Sequence, residues 1–406
     1  MPPDFDGQRA LLHARAISYP RMVGSAGEAR AREYIRSTLA GLGYDAKVEP
    51  FRFFPSFPMT FAKGVAAASL AGLALALVFE PIHPRFAALI ALFTGFIAVR
   101  GSRRFAAYSE RPDLDHSAKW WLRSLFPRAG LRAESANVTS ATPGDAEREV
   151  VLLAHYDTKS QNISIVTRIA CVAALTLGIF VVAGRVALDL IAPSLAESGA
   201  ARGVTLAVYL LALAGGIGVL SLRVSDRSPG ALDNAGSVGV LLHLAELFAQ
   251  SAPPAGWRIR FVLTGAEELG LAGANAFALA LDREPAARRV HLNLDGVGGG
   301  GRLYCTMETA LFSGNASRYP GTIALATGAA NDIGAPIRVL RRVIGGAADH
   351  FPLVQRGFPA LTIGQYSRAS WTVHTDRDRP ELLSAAALAE AGRLVLRMIE
   401  RAAEAL

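Results

Sequence analysis

At five points in this chain an acid or a histidine stands where an apolar run ends. Val150-Val-Leu-Leu-Ala154 leads straight into His155-Tyr156-Asp157. Residues two apart lie on one side of an extended chain. His155 and Asp157 therefore suit a metal-binding imidazole and the carboxylate that orients it; a surface His and Asp at a strand end give the same pattern. Gly230-Ala-Leu-Asp233-Asn234 opens an apolar helical stretch, where an Asp serves equally as an N-cap. Arg258-Ile-Arg-Phe-Val-Leu263 ends in Thr-Gly-Ala-Glu267-Glu268. Adjacent carboxylates repel unless a cation or proton sits between them, although acids also favour helix starts. His291-Leu-Asn-Leu-Asp295 again places an acid at a strand end, and Trp371-Thr-Val-His374 places a histidine ahead of the final helix. Singly, each is ambiguous. Together they form the donor set that two divalent ions about 3.5–4 Å apart require: one bridging carboxylate, two further ligands for each ion, and room for water. Imidazoles and carboxylates without cysteine suit catalytic zinc better than structural zinc.

These residues need a frame. Asp6–Ile17 reads as a helix, and Ser25-Ala-Gly-Glu28 has the spacing of a capping box that opens a helix ending at Gly41 or Gly43. Strands are expected over Tyr44–Phe53, Ser135–Ala141, Glu149–Tyr156, Arg258–Leu263, Val290–Leu294, Arg302–Met307 and Ala360–Gly364. Helices are expected over 236–250, 269–281, 317–331 and from Pro380 onward. Strands alternating with helices predict an α/β fold: a three-layer, mostly parallel sheet with helices on both faces. In such sheets, sites form at the carboxyl ends of the strands. His13, His83, His116, His243 and His291 lack that setting and read as structural or surface residues.

The 406 residues are 51% hydrophobic and only 19% charged, which excludes disorder, and two cysteines exclude a disulfide scaffold. The apolar excess lies in four blocks, 64–79, 86–99, 169–184 and 203–222. A membrane-spanning helix needs roughly 17–25 apolar residues. The fourth block meets this outright; the first and third reach it if Lys63, Arg168 and Arg185 snorkel. The blocks pair into two inserted transmembrane helical hairpins, with four buried helices of a soluble protein as the alternative. Lys63, Arg100, Arg103, Arg104, Lys159, Arg168, Arg223 and Arg227 flank the main domain, against Arg85, Arg185 and Arg202 in the far loops. The positive-inside rule then predicts an integral membrane protein with its main domain in the cytoplasm, and Met1–Gly7 lacks the pattern of a secretory leader. The net charge of +8 reads as juxtamembrane arginine, with no nucleic-acid footprint. Lys119–Arg128 mixes aromatics and bases and fits either the headgroup layer or an amphipathic surface helix. The expected division is a catalytic domain in three pieces, 1–58, 106–160 and 224–406, interrupted by hairpins at 59–105 and 161–223.

Six ordered motifs resemble the M28 family of co-catalytic zinc peptidases, which includes bacterial leucyl-type aminopeptidases. They are Ala154-His-Tyr-Asp157, Gly230-Ala-Leu-Asp233-Asn234, Gly265-Ala-Glu-Glu268-Leu-Gly, Asn293-Leu-Asp295, Ala348-Asp-His350-Phe and Val373-His-Thr375. Arg21-Met-Val-Gly-Ser-Ala-Gly-Glu28 with Arg32-Glu-Tyr-Ile35 also resembles the membrane-bound branch related to endoplasmic-reticulum metallopeptidases. The resemblance implies that His155 and Asp295 hold one zinc, Glu268 and His374 the other, and that Asp233 bridges them beside a cis peptide bond to Asn234. It implies Asp157 as the orienter of His155, Glu267 as the general base, and Asp349 and His350 near the substrate pocket. It implies two Zn²⁺, with Co²⁺ or Mn²⁺ as substitutes, and a peptide substrate with a free N-terminus. Between His155 and Asp233 this chain carries the third and fourth apolar blocks, where compact members of the family have a much shorter connection. The resulting expectation is a membrane-anchored zinc aminopeptidase. The alternatives are a carboxypeptidase, a glutaminyl-cyclase-like enzyme with one zinc, or a catalytically idle membrane scaffold for peptides.

Overall fold

The computed structural model describes residues 4–79, 82–83, 86–87, 89–90, 92–96, 132–144, 146–196, 198–284, 288–309, 314–341 and 347–405. Eight strands form one mixed sheet in the spatial order β1-β2-β6-β3-β7-β10-β8-β9. They are β1 (Lys47–Phe53), β2 (Ala133–Ala141), β3 (Arg148–His155), β6 (Trp257–Thr264), β7 (Arg288–Leu294), β8 (Arg302–Thr306), β9 (Ile337–Leu340) and β10 (Ala360–Tyr366). A separate two-residue ribbon pairs β4 (Ser160–Gln161) with β5 (Val224–Ser225). The four central strands, β6, β3, β7 and β10, run parallel. Both flanks turn antiparallel, at β1, β2 and β6 on one side and at β10 and β8 on the other. The expected mostly parallel sheet is thus parallel at its centre and again in the edge pair β8–β9.

The central strands are apolar on both faces because both faces are covered. Val150 to Ala154 are all fully buried. On one side lie α1 (Gly7–Ile17), α6 (Gly236–Gln250) and α10 (Ala385–Ala405); on the other lie α7 (Ala272–Leu281) and α9 (His350–Gln355). Helix α10 turns Leu388, Ala391, Leu394, Val395, Met398, Ile399 and Ala402 inward, the spacing of one helical stripe. It starts at Ala385, after a 3₁₀ turn at Pro380–Leu382, and not at Pro380. Helix α2 (Ala26–Gly41) carries half of the expected capping box. Ser25 accepts from the Glu28 backbone N–H, whereas the Glu28 carboxylate reaches the Gly24 N–H and Ser135.

The apolar blocks form a helical bundle of α3 (Phe57–Phe79), α4 (Ile165–Ile191) and α5 (Gly199–Leu220), joined by helical residues 86–87, 89–90 and 92–96. Ala66, Leu73, Ala76, Leu175, Ile179, Tyr209, Ala212 and Val219 make its core. Small residues allow the close approach: a Cβ on Gly215 would stand 2.5 Å from the Cys171 carbonyl oxygen. Large side chains such as Leu75, Phe93, Phe180, Leu210 and Ile217 point outward, each more than half exposed. Two stretches, Met59–Phe79 and Gly199–Leu220, are long and apolar enough to cross a membrane; Met59–Ala62 supplies the length that block 64–79 lacks. Helix α4 continues past the expected stop at residue 184, because Arg185 and Asp189 pair one turn apart and keep the helix going. The linker between the second pair of blocks is correspondingly short. Lys119–Arg128 and the second half of the first hairpin, residues 97–105, lie outside the described residues.

Candidate metal centre

The site forms where β3, β6 and β7 end together. His155 is the last residue of β3, Asp295 follows β7, and Glu267 and Glu268 lie on the loop after β6. Asp233 and His374 come from loops that close over this edge. His155 Nε2 lies 3.0 Å from Asp233 Oδ1, 3.8 Å from Asp295 Oδ1 and 4.0 Å from Glu267 Oε2. His374 Nε2 lies 3.0 Å from Asp233 Oδ2 and 3.1 Å from Glu268 Oε2. Two donor groups result, His155–Asp233–Asp295 and Asp233–Glu268–His374, and they share Asp233.

The surrounding backbone explains how these side chains are held. The Asp233–Asn234 peptide bond is cis. Asn234 donates to the Leu294 carbonyl at 2.9 Å and accepts from the Gly296 N–H, which ties the Asp233 loop to the loop of Asp295. Asp378 accepts from the backbone N–H groups of Leu232 (2.7 Å) and Asp233 (3.1 Å). Ala266 and His374 both have positive φ, 56° and 62°, a conformation that non-glycine residues hold only where the surroundings fix it. Arg21 is fully buried behind the site. It donates to the carbonyls of Tyr156, Pro229 and Gly230, bracing the segments that carry His155 and Asp233 against each other. Gly230 has φ 58°, and a Cβ there would lie 2.1 Å from Thr158, so only glycine fits this brace.

Three of the expected residues make further contacts. The Asp157 carboxylate accepts from the backbone N–H groups of Glu267 (3.0 Å) and Glu268 (3.3 Å). His155 Nδ1 sits nearer the Asp157 main-chain oxygen, at 3.2 Å, than its carboxylate, at 3.6 Å. Asp157 therefore fixes the 267–268 loop as much as the imidazole. Asp349 and His350 are almost completely buried. Thr264 donates to Asp349, and His350 meets Thr362 Oγ1 at 2.7 Å and the Glu308 carbonyl at 3.3 Å. Burial pushes Asp349 up to about 7. Lys159 was not anticipated from the sequence. Its ammonium lies 2.6 Å from Glu268 Oε2 and donates to the Glu268 carbonyl.

The electrostatics are those of an under-neutralised cluster. Asp157, Asp233, Glu267, Glu268 and Asp295 converge on Lys159 and two imidazoles. Burial pushes Glu267 well above the usual carboxylate range, against the pull of His155 and helped by Glu268, Asp295 and Asp349. Burial opposes charge on His155, but Glu267, Asp157, Asp233 and Asp295 outweigh it and hold the imidazole well above its ordinary value. His155 Nε2, close to Asp233 but out of hydrogen-bonding alignment with it, and Glu268 Oε1 are buried with no hydrogen-bond partner, a costly state unless something else satisfies them. Divalent cations at the two groups would satisfy both atoms and the excess charge, so the donor set fits zinc.

The fold is that of zinc-dependent exopeptidases and glutaminyl cyclases. A glutaminyl cyclase from Bacteroides thetaiotaomicron superposes with TM-score 0.57 at 14% identity, covering 98% of this chain and 99% of that one. A Zn-dependent exopeptidase from Parabacteroides distasonis gives TM-score 0.55 at 15% identity, covering 98% and 99%. In sequence, this chain is 31% identical over 173 residues to aminopeptidase YwaD of Bacillus subtilis (strain 168). That alignment takes in 41% of this chain and 36% of the relative, so the chain spans about a third of the length of the curated relative it matches. Residues 216–399 match the model of peptidase family M28. This stretch holds Asp233, Glu267, Glu268, Asp295 and His374.

Proposed function

We propose that the chain is a membrane-anchored, zinc-dependent aminopeptidase. The observation that carries this reading is Asp233, whose two carboxylate oxygens face two separate donor groups. The family match and the aminopeptidase relative support it. In this reading His155 and Asp295 hold one zinc, Glu268 and His374 the other, and Asp233 both. Bound zinc supplies a Lewis acid that polarises the scissile carbonyl and lowers the pKa of the attacking water. Glu267 is the general base: it takes the proton of that water and returns it to the leaving amine. Its raised proton affinity is the direction such a group needs near neutrality. Asp157 holds Glu267 and Glu268 in register through their backbone N–H groups. The surplus of carboxylates suits the free ammonium of a peptide N-terminus.

The hairpins within 59–105 and 161–223 anchor the chain in a bilayer. The charge bias of their flanks directs the catalytic pieces, 1–58, 106–160 and 224–406, to the cytoplasmic side. A glutaminyl-cyclase-like activity with a single zinc is the second reading, supported by the neighbour of that kind. The test is release of p-nitroaniline from a panel of aminoacyl-p-nitroanilides by detergent-purified, zinc-loaded protein, with and without chelator, beside a zinc count. Chelator-sensitive release from protein holding two zincs is expected. No release, with one zinc and cyclisation of an N-terminal glutamine instead, moves the assignment to the second reading.

A further inference from the structure

The bundle and the candidate metal centre share one end of the sheet. Strand β1 is antiparallel to β2, which is antiparallel to β6, so β1 and β6 end on the same side. β1 stops at Phe53 and α3 starts at Phe57. Phe53 is buried in one cluster with Ala266, the residue before Glu267, and Ala272, and Leu269, the residue after Glu268, packs against it. Ala133, where β2 begins, is the partner of Phe53 in the register. β3 ends at His155 and leads through β4 into α4. α5 returns through β5 to Gly230 and Asp233. The β4–β5 ribbon is bound to the site itself: the Gln161 N–H donates to the His374 carbonyl at 2.9 Å, and Arg168, one turn into α4, donates to the Gln161 side chain at 3.2 Å. Helix α4 packs against the 3₁₀ turn Arg368–Thr372. Beside it Tyr366 and Trp371, half-exposed and stacked edge to face at 5.6 Å, form an aromatic pair of the kind found at membrane interfaces. Every described connection to the bundle thus leaves from the site edge. The opposite edge, at Arg148, Trp257 and Arg288, has none among the described residues.

The spacing is short. Residue 161 touches the site and the apolar stretch of α4 begins after Arg168. Three extended residues and four helical ones span about 16 Å at most. The headgroup layer takes up roughly 5–8 Å of that. We propose that the site works at the bilayer surface, on polypeptides whose free N-terminus lies only a few residues from their own membrane anchor. Lys63, Arg168, Arg223 and Arg227 at the hairpin bases suit the anionic headgroups such a site would face. This rests on the membrane-anchored peptidase reading.

A molecular ruler tests it. The full chain is reconstituted with zinc into phosphatidylcholine–phosphatidylglycerol vesicles and given peptides of one N-terminal sequence, each carrying a C-terminal acyl chain. Spacers of about 6, 12 and 24 residues separate the free N-terminus from the lipid, roughly 20, 40 and 80 Å when extended. A soluble twin without the acyl chain reports peptidase activity by itself. The shortest anchored peptide is expected to be trimmed at least about tenfold faster than the soluble twin at equal bulk concentration, and the longest no faster than the shortest. Trimming of only the longest anchored peptide would place the site far from the surface and overturn the proposal. Failure of the soluble twin along with all anchored peptides would overturn the peptidase reading and this inference with it. Protein that does not float with the vesicles would overturn the anchor.

Discussion

Strand β3 buries acids at both of its ends, and the two ends treat them in opposite ways. At the start, Glu149 is 1% exposed and accepts from Arg258, Arg260 and Arg289, each at 2.9 Å. Glu284 completes the cluster by pairing with Arg260 and Arg289. Three guanidinium groups face two carboxylates there, and all three converge on the Glu149 carboxylate. At the other end, about 20 Å away along the strand, four carboxylates crowd around His155, a fifth, Glu268, has Lys159 as the nearby ammonium, and the buried Glu268 Oε1 lacks a partner. Buried acid on this strand is therefore neutralised by arginines of the neighbouring strands β6 and β7 where the purpose is structural. Where it is not, the missing charge must come from outside the chain. A third cluster follows the first pattern: Glu246 is held by Arg9, His13 and His243.

The sharpest test of this contrast is Glu267→Gln. It removes the proposed base and leaves the donor groups intact, so kcat should fall roughly a hundred- to ten-thousand-fold while the zinc count stays that of the parent. Full turnover in this variant would take Glu267 out of the chemistry. Next in size, Glu149→Gln strips the acid from three guanidinium groups. Breaking such a buried pairing costs about 3–5 kcal/mol, visible in urea denaturation, and zinc stoichiometry should not change. A loss of zinc in that variant would mean that the two ends are not independent. The smallest effect belongs to Glu246. Burial favours its neutral form, but Arg9, His243 and His13 override this and bring the carboxyl from its ordinary 4.5 to about 2. A lowered folded-state value gives stability that is present above the unfolded value and vanishes as pH falls through the folded one. The advantage of the parent over Glu246→Gln should be full above pH 4.5 and gone near pH 2. A pH-independent difference would mean that the carboxylate acts through packing alone.

Much of the candidate site was legible because each of its donors interrupts an apolar run. His155, Asp295 and the Glu267–Glu268 pair stand where the buried pattern stops, and nothing in a core explains them. What stayed hidden depends on partners distant in sequence. Arg21 braces carbonyls at Tyr156 and Gly230, and the backbone acceptors of such a bond leave no mark in residue type. Asp157 binds N–H groups more than a hundred residues away, so proximity to His155 was the visible half of its role. Ribbon β4–β5 is two residues long on each side, too short to show a period. The length of α4 was missed for a related reason: Arg185 reads as an end until Asp189 is seen to cancel it. The antiparallel flanks of the sheet follow from topology, which alternation alone does not encode.

The order of strands also has a consequence in time. β3 lies between β6 and β7, and both are made after it. A growing chain that has reached residue 250 therefore holds β3 with neither neighbour, while α3, α4 and α5 are already complete. The bundle is finished before the sheet can close, and the α/β domain assembles onto it. Translation that stops before Thr264 leaves an apolar strand with two open edges, a template for aggregation. Quality control of this protein would then act on fragments held by their helices, displaying a strand made to be covered on all sides.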